Sequence, residues 1–270
     1  MFRHPNYSNL LFFTIFSNEQ RLLHFSTTRA GGVSRGEFRS LNLGNYSDDN
    51  PLNIFENRSI VARKFYKEAG DLITPHQTHG NRVLLIDAEF LNLSNAEKIE
   101  RLYGYDASVT QEKGYFLCVT TADCVPLLLF DRKNEAIGAI HAGWKGTSGR
   151  IVEKTLLEMK KNFGTETRDI LAAIGPAIGI DNYEVGREVE EEFQKSGFNL
   201  NKSISYRHNL SRKLHIDLKE INRQELIRMG VPKHQIEKTR YCTYGNSRLF
   251  FSARRQSLHS GRMLSGIMLR

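Results

Sequence analysis

The 270-residue sequence predicts a single α/β (α+β) domain, and three observations carry that expectation. Short runs of β-branched, aromatic and aliphatic residues alternate with stretches whose apolar positions recur at helical spacing. Glycines and polar turns separate these runs. No Ser/Pro-rich linker, low-complexity run or internal repeat divides the chain, so residues 1–270 are read as one unit, long enough to bury a full core.

Taken in order, Leu10 to Phe16 and His24 to Thr28 are expected to be strands, followed by a loop because Gly31, Gly32 and Gly36 fall close together. That loop lacks the Gly-Lys-Ser/Thr ending of a phosphate-binding P-loop. Asn50-Pro51 is an N-cap followed by proline at the first helical position, and the helix is expected to run to about Gly70. Ile54, Val61 and Phe65 share its core face, and Arg58 lies on that same face. A guanidinium there needs a partner, either an internal carboxylate or carbonyl or an anionic ligand in a cleft behind the helix.

Thr74 to Gly80 carries His76 and His79 in a loop ahead of an expected strand from Arg82 to Ile86, and Asn92 to Tyr103 is a polar helical excursion. Three strands follow at Tyr115 to Thr120, Val125 to Phe130 and Ala136 to Ile140, which put Cys124 and His141 at element ends. Beyond His141, Gly143 and Gly146 bend the chain into a helix on which Ile151, Val152, Thr155, Leu156, Met159 and Phe163 repeat until Gly164. Ile170 to Ile174 is a further buried strand, and helices are expected over Glu188 to Lys195 and from Asp217 to Met229. Short strands at Tyr241 to Thr243, Leu249 to Ala253 and Met263 to Leu269 close the chain.

A formal charge of +8 and a pI near 9.4 would suit nucleic acid only if the 38 basic residues were gathered into a patch, and they are spread along the chain. Anionic small substrates are the simpler use of that charge. Three cysteines without a Cys-x-x-Cys pair fit a reducing compartment, and no apolar run approaches the roughly 18 residues of a membrane span. A cytoplasmic protein with no membrane partner is the expectation.

Cys124 and His141 admit three readings on their own: a thiolate nucleophile with an imidazole base, two ligands of a zinc ion, or a buried structural pair. The motifs Thr28-Arg-Ala-Gly-Gly-Val-Ser34, Ser40-Leu-Asn-Leu-Gly44, His76-Gln-Thr-His-Gly80, Thr121-Ala-Asp-Cys124, His141-Ala-Gly-Trp-Lys-Gly146 and Ile174-Gly-Pro176, in this order, resemble the laccase-domain family, also called polyphenol oxidase or YfiH-like. The resemblance covers nearly the whole chain. It implies a mixed β-sandwich with flanking helices, and a metal held by His79, Cys124 and His141. It also implies zinc-dependent phosphorolysis of adenosine, inosine, guanosine and methylthioadenosine, with adenosine deamination as a second activity. A Cys-His hydrolase editing peptidoglycan precursors and a copper polyphenol oxidase are the alternatives it brings. Copper is the weaker expectation, since nine histidines without a His-x-His pair suit no multi-copper cluster. Two imidazoles and a thiolate leave a fourth position open, the pattern of a catalytic zinc. Arg58 is the candidate for the phosphate or ribose end and Asn42 its hydrogen-bonding neighbour. Two departures from the family pattern are Lys145, where many relatives have arginine, and Asn182, near which many have cysteine.

Overall fold

The computed structural model describes residues 1–4, 7–201, 204–208, 212–257 and 259–270. Six of its strands form one sheet in the order Phe2–His4, Tyr7–Phe12, Leu22–Thr27, Met263–Leu269, Phe116–Thr121, Leu72–Ile73. Six others form a second sheet in the order Ile236–Lys238, Ile170–Ile174, Val125–Asp131, Ala136–Ala142, Ala107–Thr110, Val83–Leu85. Both sheets are mixed: Leu72–Ile73, Val83–Leu85 and Ile236–Lys238 join as parallel edge strands, and the remaining pairs are antiparallel. A small third sheet is built from Glu184–Val185, Leu214–Ile216 and Ser205–Arg207.

The alternation of side chains along each strand sorts the apolar residues into layers. Leu117, Val119 and Ile267 of the first sheet meet Leu128, Phe130, Ile137, Ala139 and Leu171 of the second, so the two sheets pack face to face. The other face of the first sheet, through Phe25, Phe116 and Met268, is covered by Val61, Ala62 and Phe65. The other face of the second sheet, through Val109, Leu127, Leu129 and Ile140, is covered by Ile151, Val152, Leu156 and Met159 of the helix Ile151–Phe163. The result is the mixed α/β sandwich with flanking helices that the resemblance implied.

The three central runs are strands at nearly their expected bounds, yet they do not share a sheet. Phe116–Thr121 belongs to the first sheet, and Val125–Asp131 and Ala136–Ala142 form a hairpin in the second. The chain therefore crosses the sandwich rim over Ala122, Asp123 and Cys124.

Four sequence expectations need correction. The strand from Leu10 ends at Phe12, and Thr14–Phe16 is a 3-10 turn. The helix Pro51–Arg63 is shorter than expected because Tyr66 takes a left-handed conformation (φ 57°), after which Ala69–Asp71 is a separate 3-10 turn. Leu249 to Ala253 is not a strand: the Leu249 and Phe250 amides donate back to Asn246, and Ser252 caps the short helix Ala253–Gln256. Around Tyr241 to Thr243 only an isolated bridge between Ala177 and Cys242 forms. The segment Leu249 to Ala253 buries Phe250 and Phe251 by packing rather than by pairing, which apolar content cannot distinguish from a strand. Among the described residues no helix is long and apolar enough to cross a membrane.

Candidate metal centre

The hairpin register fixes two of the ligand candidates. Pro126 opposes His141 and Val125 opposes Ala142, so Cys124, one residue before the strand, is a diagonal neighbour of His141 on the same face. That face looks into the space between the sheets, at its rim. Asp123, immediately before Cys124, has φ 83°, a strained value for a residue with a side chain. Its carboxylate holds the conformation by accepting from Thr243 Oγ1 (2.6 Å), Ser252 Oγ (2.9 Å) and the Arg254 amide (2.7 Å).

His79 arrives from the other sheet. The Gln77 side chain takes the place of a strand partner for Thr120, donating to its carbonyl (2.8 Å) and accepting from its amide (2.8 Å), and this fastens the loop to the end of Phe116–Thr121. The loop then turns around a single carboxylate. Asp106 accepts from the amides of Thr78 (3.2 Å), His79 (2.9 Å) and Gly80 (2.7 Å), an anion-binding nest that pins His79 in a left-handed conformation (φ 62°).

Asp106 has a second task. Its Oδ1 lies 2.7 Å from His141 Nδ1, and an ionised carboxylate only accepts, so Nδ1 carries the proton and Nε2 is left for the cluster. Burial alone would raise this carboxyl, but the hydrogen bond and charge of His141 and the loop amides hold it below the usual carboxylate range.

The ligand atoms of His79, Cys124 and His141 all lie within 4.8 Å of one another. The two imidazoles meet edge to face, with centroids 4.9 Å apart. Closing these three donors onto a tetrahedral zinc ion asks for about an ångström of movement, so the donor set fits the metal. Gly143 leaves the room: a Cβ there would sit 3.2 Å from Cys124 Sγ and 3.2 Å from the His79 ring.

Without a metal the group is an ion pair. Burial pushes the Cys124 thiol up, but the His141 charge and hydrogen bonds from His141 and His79 prevail and bring it down to about 6. Burial opposes charge on His141, and Cys124 and Asp106 outweigh it, raising the imidazole to about 9.

Of the five sequence candidates, three meet here and two do not join them. Asn42 is fully buried and its amide is engaged within the protein. Nδ2 donates to Ser47 Oγ (2.8 Å) and Asp49 Oδ2 (3.0 Å), and Oδ1 accepts from the amides of Gly44 (3.1 Å) and Arg262 (2.9 Å). Arg58 is buried beside Leu72 and Thr74, in a cavity whose lining includes none of the three ligands. Lys145 is exposed and extends over the Trp144 ring at 5.5 Å, and Asn182 faces Cys242 Sγ at 3.5 Å.

Sequence reasoning passed over Asp106, Arg262 and Tyr183. Burial lowers the Arg262 guanidinium, and the charges of Cys124 and Asp123 act against that, so this cation lies within the electrostatic reach of the thiolate. Burial and then the Cys124 charge hold the Tyr183 phenol protonated. Only strand register could have revealed Asp106: His141 donates its amide to the Asp106 carbonyl (2.7 Å) across the sheet.

The class defined here is a two-sheet α/β sandwich with, at its rim, a carboxylate-backed His-Cys-His group whose geometry could hold a metal ion. The family model described as multi-copper polyphenol oxidoreductase laccase matches residues 23–270, and the chain belongs to that family. It is 45% identical over 260 residues to a protein of Bacteroides thetaiotaomicron named purine nucleoside phosphorylase, covering 96% of each chain. It is 41% identical over 243 residues to adenosine deaminase RL5 of an unknown prokaryotic organism, covering 90% of this chain and 92% of that one. The crystal structure of the Bacillus licheniformis hypothetical protein YfiH superposes with a TM-score of 0.87 at 32% identity, covering 94% of each chain.

Proposed function

We propose that the protein is a zinc-dependent purine nucleoside phosphorylase, converting adenosine, inosine, guanosine or methylthioadenosine and phosphate to free base and the sugar 1-phosphate, with adenosine deamination as a second activity. The observation that carries this reading is the convergence of His79, Cys124 and His141 on one point with Asp106 behind His141. The names of the relatives supply the reaction class. Two imidazoles and one thiolate leave a position open to a ligand, and zinc in such a site supplies Lewis-acid polarisation of an oxygen. The mixed N/S donor set also suits copper, but a multi-copper cluster needs more clustered imidazoles than the one three-ligand group found among the described residues.

The chain's own groups divide the remaining work. Asp106 fixes the His141 tautomer and seats the loop of His79. Arg262 provides a permanent cation beside Cys124, suited to attract phosphate and to orient it against the anomeric carbon. Asn42 positions Arg262 by accepting its amide proton. Tyr183 keeps an O–H donor near the centre, available to a departing purine nitrogen. Purine nucleosides and phosphate are thus the partners, with no role assigned to nucleic acid.

The test is base release from inosine measured against phosphate concentration, on protein purified without chelator and assayed for metal. About one zinc per chain and hypoxanthine only in the presence of phosphate are expected, with both metal and activity lost in His141→Ala. Equal base release with and without phosphate would refute the phosphorylase and leave Cys124 and His141 as a hydrolytic dyad.

A further inference from the structure

Among the described residues Arg58 is a buried cation without a counter-ion. It is only 6% exposed, between Ile54 and Val61 on the core face of Pro51–Arg63. Nη2 donates to the Leu72 carbonyl and to Thr74 Oγ1 (3.2 Å), while Nη1 is buried with no partner. The titratable groups that act on it are Cys118 and Tyr46, both pushed up by burial and so neutral near pH 7, and no carboxylate is among them. A guanidinium removed from water in this way loses its hydration without recovering it from an anion.

The side chain lies in the wall of a cavity of about 510 Å³, within the size range of small-molecule sites. The walls are apolar, formed in part by Ile54, Phe90, Leu102 and Tyr115, and Lys98 is the second cation in the lining. Neither aspartate nor glutamate lines it. Phe55 and Ile99 also line it and are 62% and 65% exposed, unusual for large apolar side chains. The cavity lies apart from the metal centre, since it is lined by none of His79, Cys124 and His141.

We propose that this cavity binds an amphipathic monoanion, a carboxylate carried on an apolar chain or ring, with the carboxylate paired to Arg58 and the apolar body held between Pro51–Arg63 and Asn95–Arg101. The pairing gives the guanidinium the anion it lacks, through the part of the side chain that lines the cavity, and the low-dielectric wall strengthens it. A neutral molecule of the same shape leaves the guanidinium unsatisfied. A small hydrated anion leaves the apolar walls wet.

The test compares decanoate with decanol by isothermal titration on the metal-loaded protein. Decanoate should bind at least tenfold more tightly than decanol. Arg58→Met should erase that difference, and Lys98→Glu should weaken decanoate severalfold while sparing decanol. Gly70 is exposed, lines the cavity and would have no atom within 4 Å of an added Cβ, so Gly70→Phe adds a ring at the cavity wall with no neighbour in the way of its Cβ and should abolish binding of both ligands. That variant keeps the proposal open to refutation if Arg58→Met fails to fold. Decanoate binding should be unchanged after zinc is stripped by a chelator. Equal affinity for acid and alcohol, decanoate binding that survives Gly70→Phe, or binding that disappears with the metal would each overturn the assignment.

Discussion

Asp106 links two ligand candidates, His79 and His141, that come from different parts of the chain. Its carboxylate orients the His141 ring and holds the amides around His79, so Asp106→Asn keeps the size of the group and puts an N–H donor where an acceptor was required. Zinc affinity should fall 10–100-fold, measured by competition with a chelating dye, while the protein remains folded. The ion pair sets a second expectation. Cys124 stability is fully present above the usual 9.0 and is lost as pH falls through about 6. His141 stability is fully present below the usual 6.5 and is lost as pH rises through about 9. The two proton balances oppose each other, so the Tm of the chelated protein should change little across that window. Metal uptake there displaces the His141 proton, and apparent zinc affinity should drop about tenfold per unit as pH falls from 9 toward 7. A chelated protein whose Tm slopes steeply with pH, or a zinc affinity flat over that range, would mean that the pair does not carry one proton across it. His79, Cys124 and His141 were grouped by the family resemblance, which rests on motifs local in sequence, whereas spacing alone left Cys124 and His141 with three readings. Arg262 and Tyr183 were not, because what marks them is a neighbour across the fold.

At the level of elements, the site depends on how one strand ends and the next helix begins. Gly143 is the N-cap of Trp144–Ser148, with φ −74°, so an alanine there meets no backbone strain. The only change is the added Cβ, which would press on Cys124 Sγ and the His79 ring. Gly143→Ala should therefore leave the metal-free Tm nearly unchanged and weaken zinc binding severalfold, since sites of this kind tolerate little displacement. A variant with unaltered zinc affinity would show that the ring and thiol move aside freely. The strands Val125–Asp131 and Ala136–Ala142 were legible to within two residues, as Val125 to Phe130 and Ala136 to Ile140, from their apolar runs. Leu249 to Ala253 misled because Phe250 and Phe251 are buried by a loop that follows the metal-site rim, and hydrophobicity records burial rather than pairing.

Across the whole molecule, the first sheet is assembled from distant segments. Met263–Leu269 lies between Leu22–Thr27 and Phe116–Thr121, pairing residue by residue with both. Without it that sheet falls into two parts, and Arg262, just ahead of it, loses its seat on Asn42. Removing residues 263–269 should therefore leave no cooperative melting transition, rather than a folded protein with a weaker site. A truncated chain that melts cooperatively would disprove this. No local pattern in the sequence announced the pairing, because alternation shows which residues face the core and not which strand lies alongside.

The same strand also sets a timetable. Ribosomes extend a chain at about 5–20 residues per second, so the segment from Leu22 emerges many seconds before its partner. During that interval the edges of Leu22–Thr27 and Phe116–Thr121 that Met263–Leu269 will later occupy stand open to water and to other nascent chains. The helical side of the second sheet can close early, since its strands and covering helix are near neighbours in sequence. Arg262 and the Asp123 partners Thr243, Ser252 and Arg254 therefore reach the rim after His79, Cys124 and His141, and chaperone binding should be concentrated on chains arrested before residue 263.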